Sequence, residues 1–415
     1  MCWKTLAVGA SAAASALAAD EAHVGRIGVA AFGSCNKQHR PQPLWDAISA
    51  QAPDLWVWGG DAVYSNASSV LALEEAVALQ RSNADYARFA KRVGLVDGIW
   101  DDHDVGINDC GASTPLLAER RAAYLRLLEP YDGDARALER HERRARRAAE
   151  RRGLYSSSSF GDGELSLIML DTRSFRDAHL IPSVGATLRG EWPLCSLIDE
   201  GVPVLGRLTP LLAAATRLVS MWFAEWIDFG SDVLGEAQWA WLETQLTEAQ
   251  NSKFVVLLTS IQFGTSNPSF ESWGHFPRAK RRLLELLART AGPAVLLISG
   301  DVHHAELIAP PATRFVDETP LYDCGQLVEV TTSGTISTSL TTRLLFPPLI
   351  WWFSRHRASP QSFSTEYNYA TLAFDYDAAH VDVRVRGPGE NVLLAARLAP
   401  RAADCASRQT DSNEL

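Results

Sequence analysis

The sequence predicts an α/β fold built on a parallel sheet, and three observations carry that prediction. Short apolar runs, continuous rather than alternating, close on glycine: Ile27 to Phe32 before Gly33, Asp54-Leu-Trp-Val-Trp58 before Gly59-Gly60, and Ala294 to Ile298 before Ser299-Gly300. Strands buried on both faces read as unbroken apolar runs, and sites gather where such strands end. Stretches of helical periodicity separate them. Near the C-terminus, Tyr369 to Phe374 and His380 to Val385 alternate as a hairpin at an antiparallel edge does.

In order, Leu44 to Ala50 reads as a crossover helix between the first two strands. Val70 to Val93 reads as one long helix, and Leu116 to Leu128 as another. Glu139 to Arg152 sets arginines and glutamates at helical spacing, which fits a solvated helix held by i,i+4 pairs better than a collar for an anionic substrate. Gly163 to Leu170 is a strand ahead of Asp171-Thr172-Arg173, and Gln238 to Ala249 an amphipathic helix. Lys253 to Leu258 is a strand into Ser260-Ile261-Gln262, Arg278 to Arg289 a helix, and Leu327 to Thr331 a strand into Thr332-Ser333-Gly334.

Two apolar segments break this pattern. Leu208 to Phe229 carries Leu211, Leu212, Leu218, Val219, Trp222, Phe223 and Trp226 at helical spacing, interrupted by Arg217 and Glu225. Leu344 to Phe353 is apolar, short and broken by prolines. Neither spans a bilayer. Packing on each other, a lid over the site, and contact with a membrane surface are the three roles open to them.

The 415 residues are 47% hydrophobic, enough for a substantial core, and a length compatible with one large α/β domain or two. A formal net charge of -10 argues against a nucleic-acid surface. Met1-Cys2-Trp3-Lys4, followed by the Ala-rich run Leu6 to Ala19, has the pattern of a secretory signal peptide cleaved before Asp20. Removing Cys2 leaves Cys35, Cys110, Cys195, Cys324 and Cys405, an odd number. Cys35 is then the candidate unpaired thiol, and the other four admit two disulfides in any of three connectivities. Asn66-Ala67-Ser68 is a glycosylation sequon.

The chemistry concentrates in Gly98-Ile99-Trp100-Asp101-Asp102-His103-Asp104, with Asn108 just beyond. Like charges this close repel, and a multivalent cation reverses that balance. The other strand exits carry the same kind of ligand: Cys35; Asp61 and Tyr64; Asp301, His303 and His304. Oxygen donors with one or two imidazoles suit hard divalent or trivalent cations. Cys35 and Tyr64 bind only as thiolate and phenolate, which a strongly Lewis-acidic ion such as ferric iron favours. Asp61 is the natural bridging carboxylate. Two ions about 3.5–4 Å apart, holding a hydroxide and clamping the oxygens of an in-line displacement, form a standard phosphoester-hydrolysis device.

Gly33-Ser34-Cys35, Gly60-Asp61-Ala-Val-Tyr64, Trp100-Asp-Asp-His-Asp104 and Gly300-Asp301-Val-His303 together resemble the motif set of the PhoD-like (alkaline phosphatase D) branch of the metallophosphoesterases. Leu170-Asp171-Thr-Arg173, Gln238-Trp-Ala-Trp-Leu242, Glu271-Ser-Trp-Gly-His275-Phe-Pro and Thr332-Ser-Gly match in the same order, so the resemblance runs from about Phe32 to Ser337. It implies a four-layer αββα sandwich with mixed sheets over residues 20–400, behind a signal peptide at 1–19, with an apolar insert near 186–236 and a polar tail at 401–415. It implies an iron site from Cys35, Asp61, Tyr64 and Asp301, and calcium sites drawing on Asp61, Asp102, Asn108 and His303, with other divalent metals as substitutes. His103, flanked by Asp102 and Asn108, aligns with the histidine that contacts phosphate as transition-state stabiliser or proton donor. Arg173 and His304 are the candidates for the substrate side, Arg173 also for a structural ion pair.

The sequence departs from the wider superfamily at three places. Cys35 stands where Asp-x-His usually opens the first strand, Asp101-Asp102-His103 replaces glycine-asparagine-histidine, and Gln262 occupies the place of a late histidine ligand. The N-terminal β-rich domain of larger relatives is not expected. The resemblance thus implies a secreted enzyme that hydrolyses phosphomonoesters or phosphodiesters by in-line attack of a metal-bound hydroxide. Two rivals stand beside it: a phospholipase-type phosphodiesterase acting on lipid headgroups, and a non-catalytic binding protein that keeps a metal for stability.

Overall fold

The computed structural model describes residues 19–65, 69–181, 203–265, 267, 269–290, 292–308, 328–334 and 362–399. Residues 1–18 of the expected signal peptide, the sequon, the segment 344–353, the tail 401–415 and Cys195, Cys324 and Cys405 lie outside the described residues. In chain order the first half runs β1 (Glu21–His23), β2 (Val29–Gly33), α1 (Trp45–Ala50), β3 (Leu55–Gly59), α2 (Val70–Ser82) and α3 (Ala84–Ala90). It continues with β4 (Leu95–Ile99), α4 (Asp102–Val105), α5 (Leu117–Leu125), α6 (Ala135–Arg151), β5 (Ser156–Phe160) and β6 (Leu165–Met169). The second half opens with α7 (Pro203–Trp226), α8 (Gly235–Glu248), β7 (Phe254–Leu258), α9 (Pro277–Arg289), β8 (Ala294–Ser299) and β9 (Ala305–Ile308). It closes with β10 (Val328–Thr332), β11 (Phe363–Ser364), β12 (Tyr369–Asp375), β13 (His380–Arg386) and β14 (Val392–Leu398).

The strands form two sheets rather than one. Six are ordered β14-β13-β12-β2-β3-β4, and eight β1-β5-β6-β7-β8-β10-β9-β11. Both are mixed, each with a parallel block (β2, β3, β4; β6, β7, β8, β10) flanked by antiparallel strands. Alternate side chains along each strand point to opposite faces, so each strand feeds two cores. Phe32, Leu55, Val57 and Ile99 meet Leu167, Val256, Ile298 and Val330 between the sheets. Ala31, Trp56 and Trp58 turn outward onto Trp45, Val77, Phe89 and Tyr124 of α1, α2, α3 and α5. Val255, Leu257, Val295 and Leu297 turn outward onto Trp239, Leu242, Leu283 and Leu287 of α8 and α9. Helix layer, sheet, sheet, helix layer is the αββα sandwich expected.

Several elements differ from the sequence expectation for identifiable reasons. Val70 to Val93 is two helices, because Asn83 leaves the helical conformation and its side chain accepts from the amides of Asp85 and Tyr86, capping α3. The β12–β13 hairpin lies inside its sheet: β12 pairs with β2, β13 with β14, and β14 takes the edge. The Gly98-Ile99 lead-in is the end of a strand, β4, parallel to β3. Helix α6 has its i,i+4 pairs, Arg143–Glu139 and Arg146–Glu142, yet Arg143 and Arg147 also hold Glu21, Arg151 holds Asp20, and Arg144 holds Asp97. It therefore straps β1 and β4 to the body.

Cys110 is a free, buried thiol, as is Cys35. The expected scheme of two disulfides, which needs Cys110, therefore does not hold. Helix α7 buries Ser220 and Ala224 and sends Trp222 (70% exposed) and Trp226 (78% exposed) outward with Phe223, and Ile227 just past its end is exposed as well. Among the described residues no helix is long and apolar enough to cross a membrane.

Candidate metal centre

The C-terminal ends of β2, β3 and β4 meet those of β8 and β10 where the sheets abut. Ser34 Oγ donates to the Thr332 carbonyl (2.8 Å) and Ser260 Oγ to Asp101 Oδ1 (2.9 Å). The glycine exits make this approach possible. A Cβ on Gly60 (φ 97°) would lie 2.7 Å from Asp101 Cβ, and one on Gly300 would lie 2.4 Å from Ser34 Oγ. Beyond them the chain turns sharply. Cys35 (φ 57°), Asp61 (51°), Asp301 (71°) and His303 (58°) all sit in the left-handed region that favours glycine. Each costs roughly 1–3 kcal/mol, and such strain concentrates at functional sites.

These turns bring the ligand types together. Tyr64 Oη lies 2.9 Å from Asp61 Oδ2 and 2.9 Å from His303 Nε2, and Cys35 Sγ lies 3.6 Å from Asp61 Oδ2 and 2.9 Å from Ser333 Oγ. The other oxygen of Asp61 accepts from the His103 amide (3.2 Å). The His103 ring, half-buried, stacks on Tyr64 with centroids 4.3 Å apart. Four sets of side chains place one donor atom each within 4.8 Å of one another: Cys35, Asp61 and His303; Asp61, Asp102 and His103; Asp101, Asp102 and Asp301; Asp102, Asp109 and Glu271. Asp61 and Asp102 are shared, so neighbouring cation positions have ligands in common.

Charge accounting separates structural acids from metal-binding ones. Arg173 pairs with Asp101 and Glu271, Arg176 with Glu271, and Arg217 with Asp109. Asp104 accepts from the amides of Val63 and Asp101, closing the capping box of α4. Asp61, Asp102 and Asp301 have no arginine or lysine in salt-bridge contact among the described residues. Asp101 Oδ2 and Asp102 Oδ1 are buried and accept no hydrogen bond. Leaving buried carboxylate oxygens uncompensated costs several kcal/mol, and multivalent cations remove that cost. The donor set fits them.

The proton affinities point the same way. Burial, then the charges of Cys35, Asp102 and Asp101, push Asp61 well above the usual carboxylate range, and burial with Asp102 and Asp101 does the same to Asp301. Burial lifts the Cys35 thiol to about 11 and the Tyr64 phenol well above its ordinary value. Protons hold these sites when no cation does, so cation binding releases them. Burial, then Lys37 and His103, push His303 down to about 3, which keeps the imidazole neutral, the form that binds metal. For Asp102 burial pulls upward, but His103, Arg173 and the Asp109 amide outweigh it and hold the carboxyl below its usual range.

Against the sequence expectations, the structure gathers Cys35, Asp61, Tyr64, Asp102, His103, Asp301 and His303 into one cluster. It groups them differently: His303 sits with Cys35 and Asp61, and Asp301 with Asp101 and Asp102. Asn108 is half-buried in the turn that follows α4. Arg173 is fully buried between Asp101 and Glu271, a structural ion pair rather than a substrate contact. His304 is also buried, its ring beside Phe270 and Phe363 and its Nδ1 3.0 Å from the Val302 carbonyl. Gln262 donates to Thr331 Oγ1 (2.9 Å) inside the eight-stranded sheet. Residues that sequence reasoning missed are Asp109 and Glu271, which lie beside Asp102, Arg176 and Arg217, which pair with those two acids, and Lys37, whose Nζ lies 5.1 Å above the Tyr64 ring.

A family model described as PhoD-like phosphatase matches residues 30–387. No curated protein matches the sequence. Among solved structures, a structure of PhoD superposes with a TM-score of 0.56 at 17% identity, covering 90% of this chain and 68% of that one. A dimetal phosphatase from Danio rerio superposes with a TM-score of 0.48 at 14% identity, covering 91% and 99% respectively.

Proposed function

The chain belongs to the PhoD-like phosphatase family and so to the phosphoric ester hydrolases, and we propose that it hydrolyses phosphate esters at a multinuclear centre of ferric iron and calcium. The observation that carries this reading is the trio Asp61, Asp102 and Asp301, the first two buried and Asp301 half-buried, none in salt-bridge contact with an arginine or lysine among the described residues, with the orphaned oxygens of Asp101 and Asp102 beside it. Cys35, Asp61, Tyr64 and His303 would hold the iron, whose Lewis acidity suits a thiolate and a phenolate. Asp102, Asp301, Asn108 and the second oxygen of Asp61 would hold calcium, a hard ion that takes oxygen ligands. When bound, the ions supply Lewis-acid charge to phosphoryl oxygens and lower the pKa of a water towards neutrality.

The chain's own residues do the rest. Asp61 presents one oxygen towards Cys35 and Tyr64 and the other towards the His103 amide, so it spans neighbouring positions. Stacking on Tyr64 orients the His103 ring, which has the role of donating a hydrogen bond to the transferring phosphoryl group or a proton to the leaving oxygen. Arg173 and Glu271, behind the cluster, keep Asp101 from turning away.

Elemental analysis of the purified protein, with p-nitrophenyl phosphate and bis-p-nitrophenyl phosphate turnover on the same sample, tests this. Bound iron and calcium with turnover lost to chelator are expected. No metal and no turnover after both ions are added would overturn it in favour of a non-catalytic binding protein. The exposed Trp222, Phe223 and Trp226 on α7 favour a second reading, lipid phosphodiesters as substrates. Phospholipid-vesicle binding and headgroup release are its test. Export with cleavage before Asp20 is also part of the proposal, supported by the Asp20 amide and carboxylate docking on Ser157 and Arg151, and is read by N-terminal sequencing of the exported protein.

A further inference from the structure

The turn after α4 wraps Asp102 tightly. The amides of Gly106 and Ile107 donate to the Asp102 carbonyl (2.7 and 3.2 Å), and the Asp109 amide donates to Asp102 Oδ2 (2.7 Å). That last contact fixes one oxygen of Asp102 and leaves Oδ1, buried and without a hydrogen-bond partner, to face the candidate cation positions. Asp109 takes this geometry in the left-handed region (φ 55°), which costs backbone energy in a non-glycine residue.

Three guanidinium groups hold the turn in place. Arg173 and Arg176 donate to the Cys110 carbonyl, and Arg176 also to the Asp109 carbonyl. Both follow β6 and belong to the body of the domain. The third, Arg217, comes from α7, in the apolar insert. Its Nε and Nη2 grip the two carboxylate oxygens of Asp109, and its Nη1 lies 3.4 Å from the Ser269 carbonyl. The pair is almost wholly removed from solvent, where a two-pronged guanidinium–carboxylate contact is both strong and directional.

We propose that Arg217 is a positioning residue of the metal site: through Asp109 it holds the amide that orients Asp102, and so the insert helix sets the affinity of the centre for its ion. The proposal rests on Asp102 being a metal ligand. Without the Arg217 contact the Asp109 carboxylate loses its two-pronged ion pair, the turn loses its tie to the insert helix, and the hydrogen bond that aims Asp102 loosens. Partners that orient a metal ligand in this way typically contribute about 10–100-fold in metal affinity.

The test titrates the metal-free full-length protein with Ca2+ alone, and separately with Mn2+ alone, by calorimetry, for the natural sequence, R217M, R217K and D109N. The expected result is that R217M binds the ion about 10–100-fold more weakly, R217K recovers part of the loss because an ammonium keeps the charge without the fork, and D109N falls between. The kcat for p-nitrophenyl phosphate should drop while KM stays nearly unchanged. Should R217M fail to fold, R217K and D109N carry the same comparison. Wild-type affinity in these variants, even with a lower Tm, would overturn the proposal and leave Arg217 a structural residue. Absence of binding by the natural sequence would instead overturn the metal reading, and this proposal with it.

Discussion

Arg173 Nε donates to Asp101 Oδ1 with neither side chain reaching solvent, and the same guanidinium holds both oxygens of Glu271 at 2.9 Å. This pair closes the rear wall of the metal cluster. Deleting one member of a buried pair strands the other, which typically costs about 3–5 kcal/mol. Arg173→Met strands Asp101, while Glu271 keeps its pair with Arg176, and should lower metal-free stability by about that much. The measurement is chemical denaturation with chelator present, and an unshifted midpoint would mean that the network is dispensable.

Cation removal should act on the remaining acids. With Asp61, Asp102 and Asp301 facing one another, any ion that binds the native state stabilises it, by about 2.7 kcal/mol at a hundredfold excess over Kd. Because Asp61, Asp301, Cys35 and Tyr64 all hold their protons more tightly than usual, protons compete with the ion, and affinity should rise from pH 6 to pH 9. Thermal unfolding with added Ca2+ against added chelator, at both pH values, reads this directly. A smaller shift at pH 9 would contradict the assignment of these groups as ligands.

His103 and Lys37 are separable from the ligands. His103→Asn keeps a polar side chain of similar reach, so metal content and Tm should hold while turnover falls on the order of 10²–10⁴-fold. Retained turnover would remove His103 from the chemistry. Lys37 has no carboxylate partner among the described residues, and burial pulls its pKa below the ordinary value. A cation beside the site attracts a phosphomonoester dianion more than a diester monoanion. Lys37→Met should raise KM roughly tenfold for p-nitrophenyl phosphate and less for the diester, on the scale of one charge-assisted hydrogen bond. Equal changes for both esters would sink that role.

Much of this site was legible because ligands sit at the ends of buried strands, where an apolar run and a glycine mark the position in advance. Cys35, Asp61 and Asp301 each follow such a run. Less legible were strands without that signal: β5 is Ser156–Phe160, four serines and a phenylalanine, and β14 carries alanines, leucines and an arginine that favour helix. The split at Asn83 depends on a cap, which periodicity does not register. The arginine layer was illegible for a different reason. Arg217 and Asp109 are 108 positions apart, and nothing local to either marks the other. The same separation hid the job of helix α6, whose acidic partners Asp20 and Glu21 lie more than a hundred residues earlier.

The last prediction concerns acid stability and rests on two buried imidazoles beside the arginine layer. His275 is fully buried, with Nε2 2.9 Å from the Phe270 carbonyl and Nδ1 without a partner; burial pushes its pKa down to about 4. His179 is pushed well below the ordinary value by burial and then by Arg176, whose Nη1 lies 3.0 Å from Nε2, so that nitrogen must accept and the ring stays neutral. An unfolded histidine takes a proton near 6.5, and the native His275 does so only near 4. Between those values the unfolded chain binds more protons than the native one, so stability is complete above about 6.5 and falls as pH drops towards 4. For His275 alone the loss approaches about 3 kcal/mol. Nearby carboxylates with raised proton affinity act in the opposite sense, so the informative quantity is the difference between two proteins at matched metal content. His275→Gln keeps the donor to Phe270 and cannot be protonated. Its stability should fall less steeply than that of the natural sequence between pH 6.5 and 4.5, measured by denaturant unfolding. Parallel slopes would show that the buried ring does not titrate in that window.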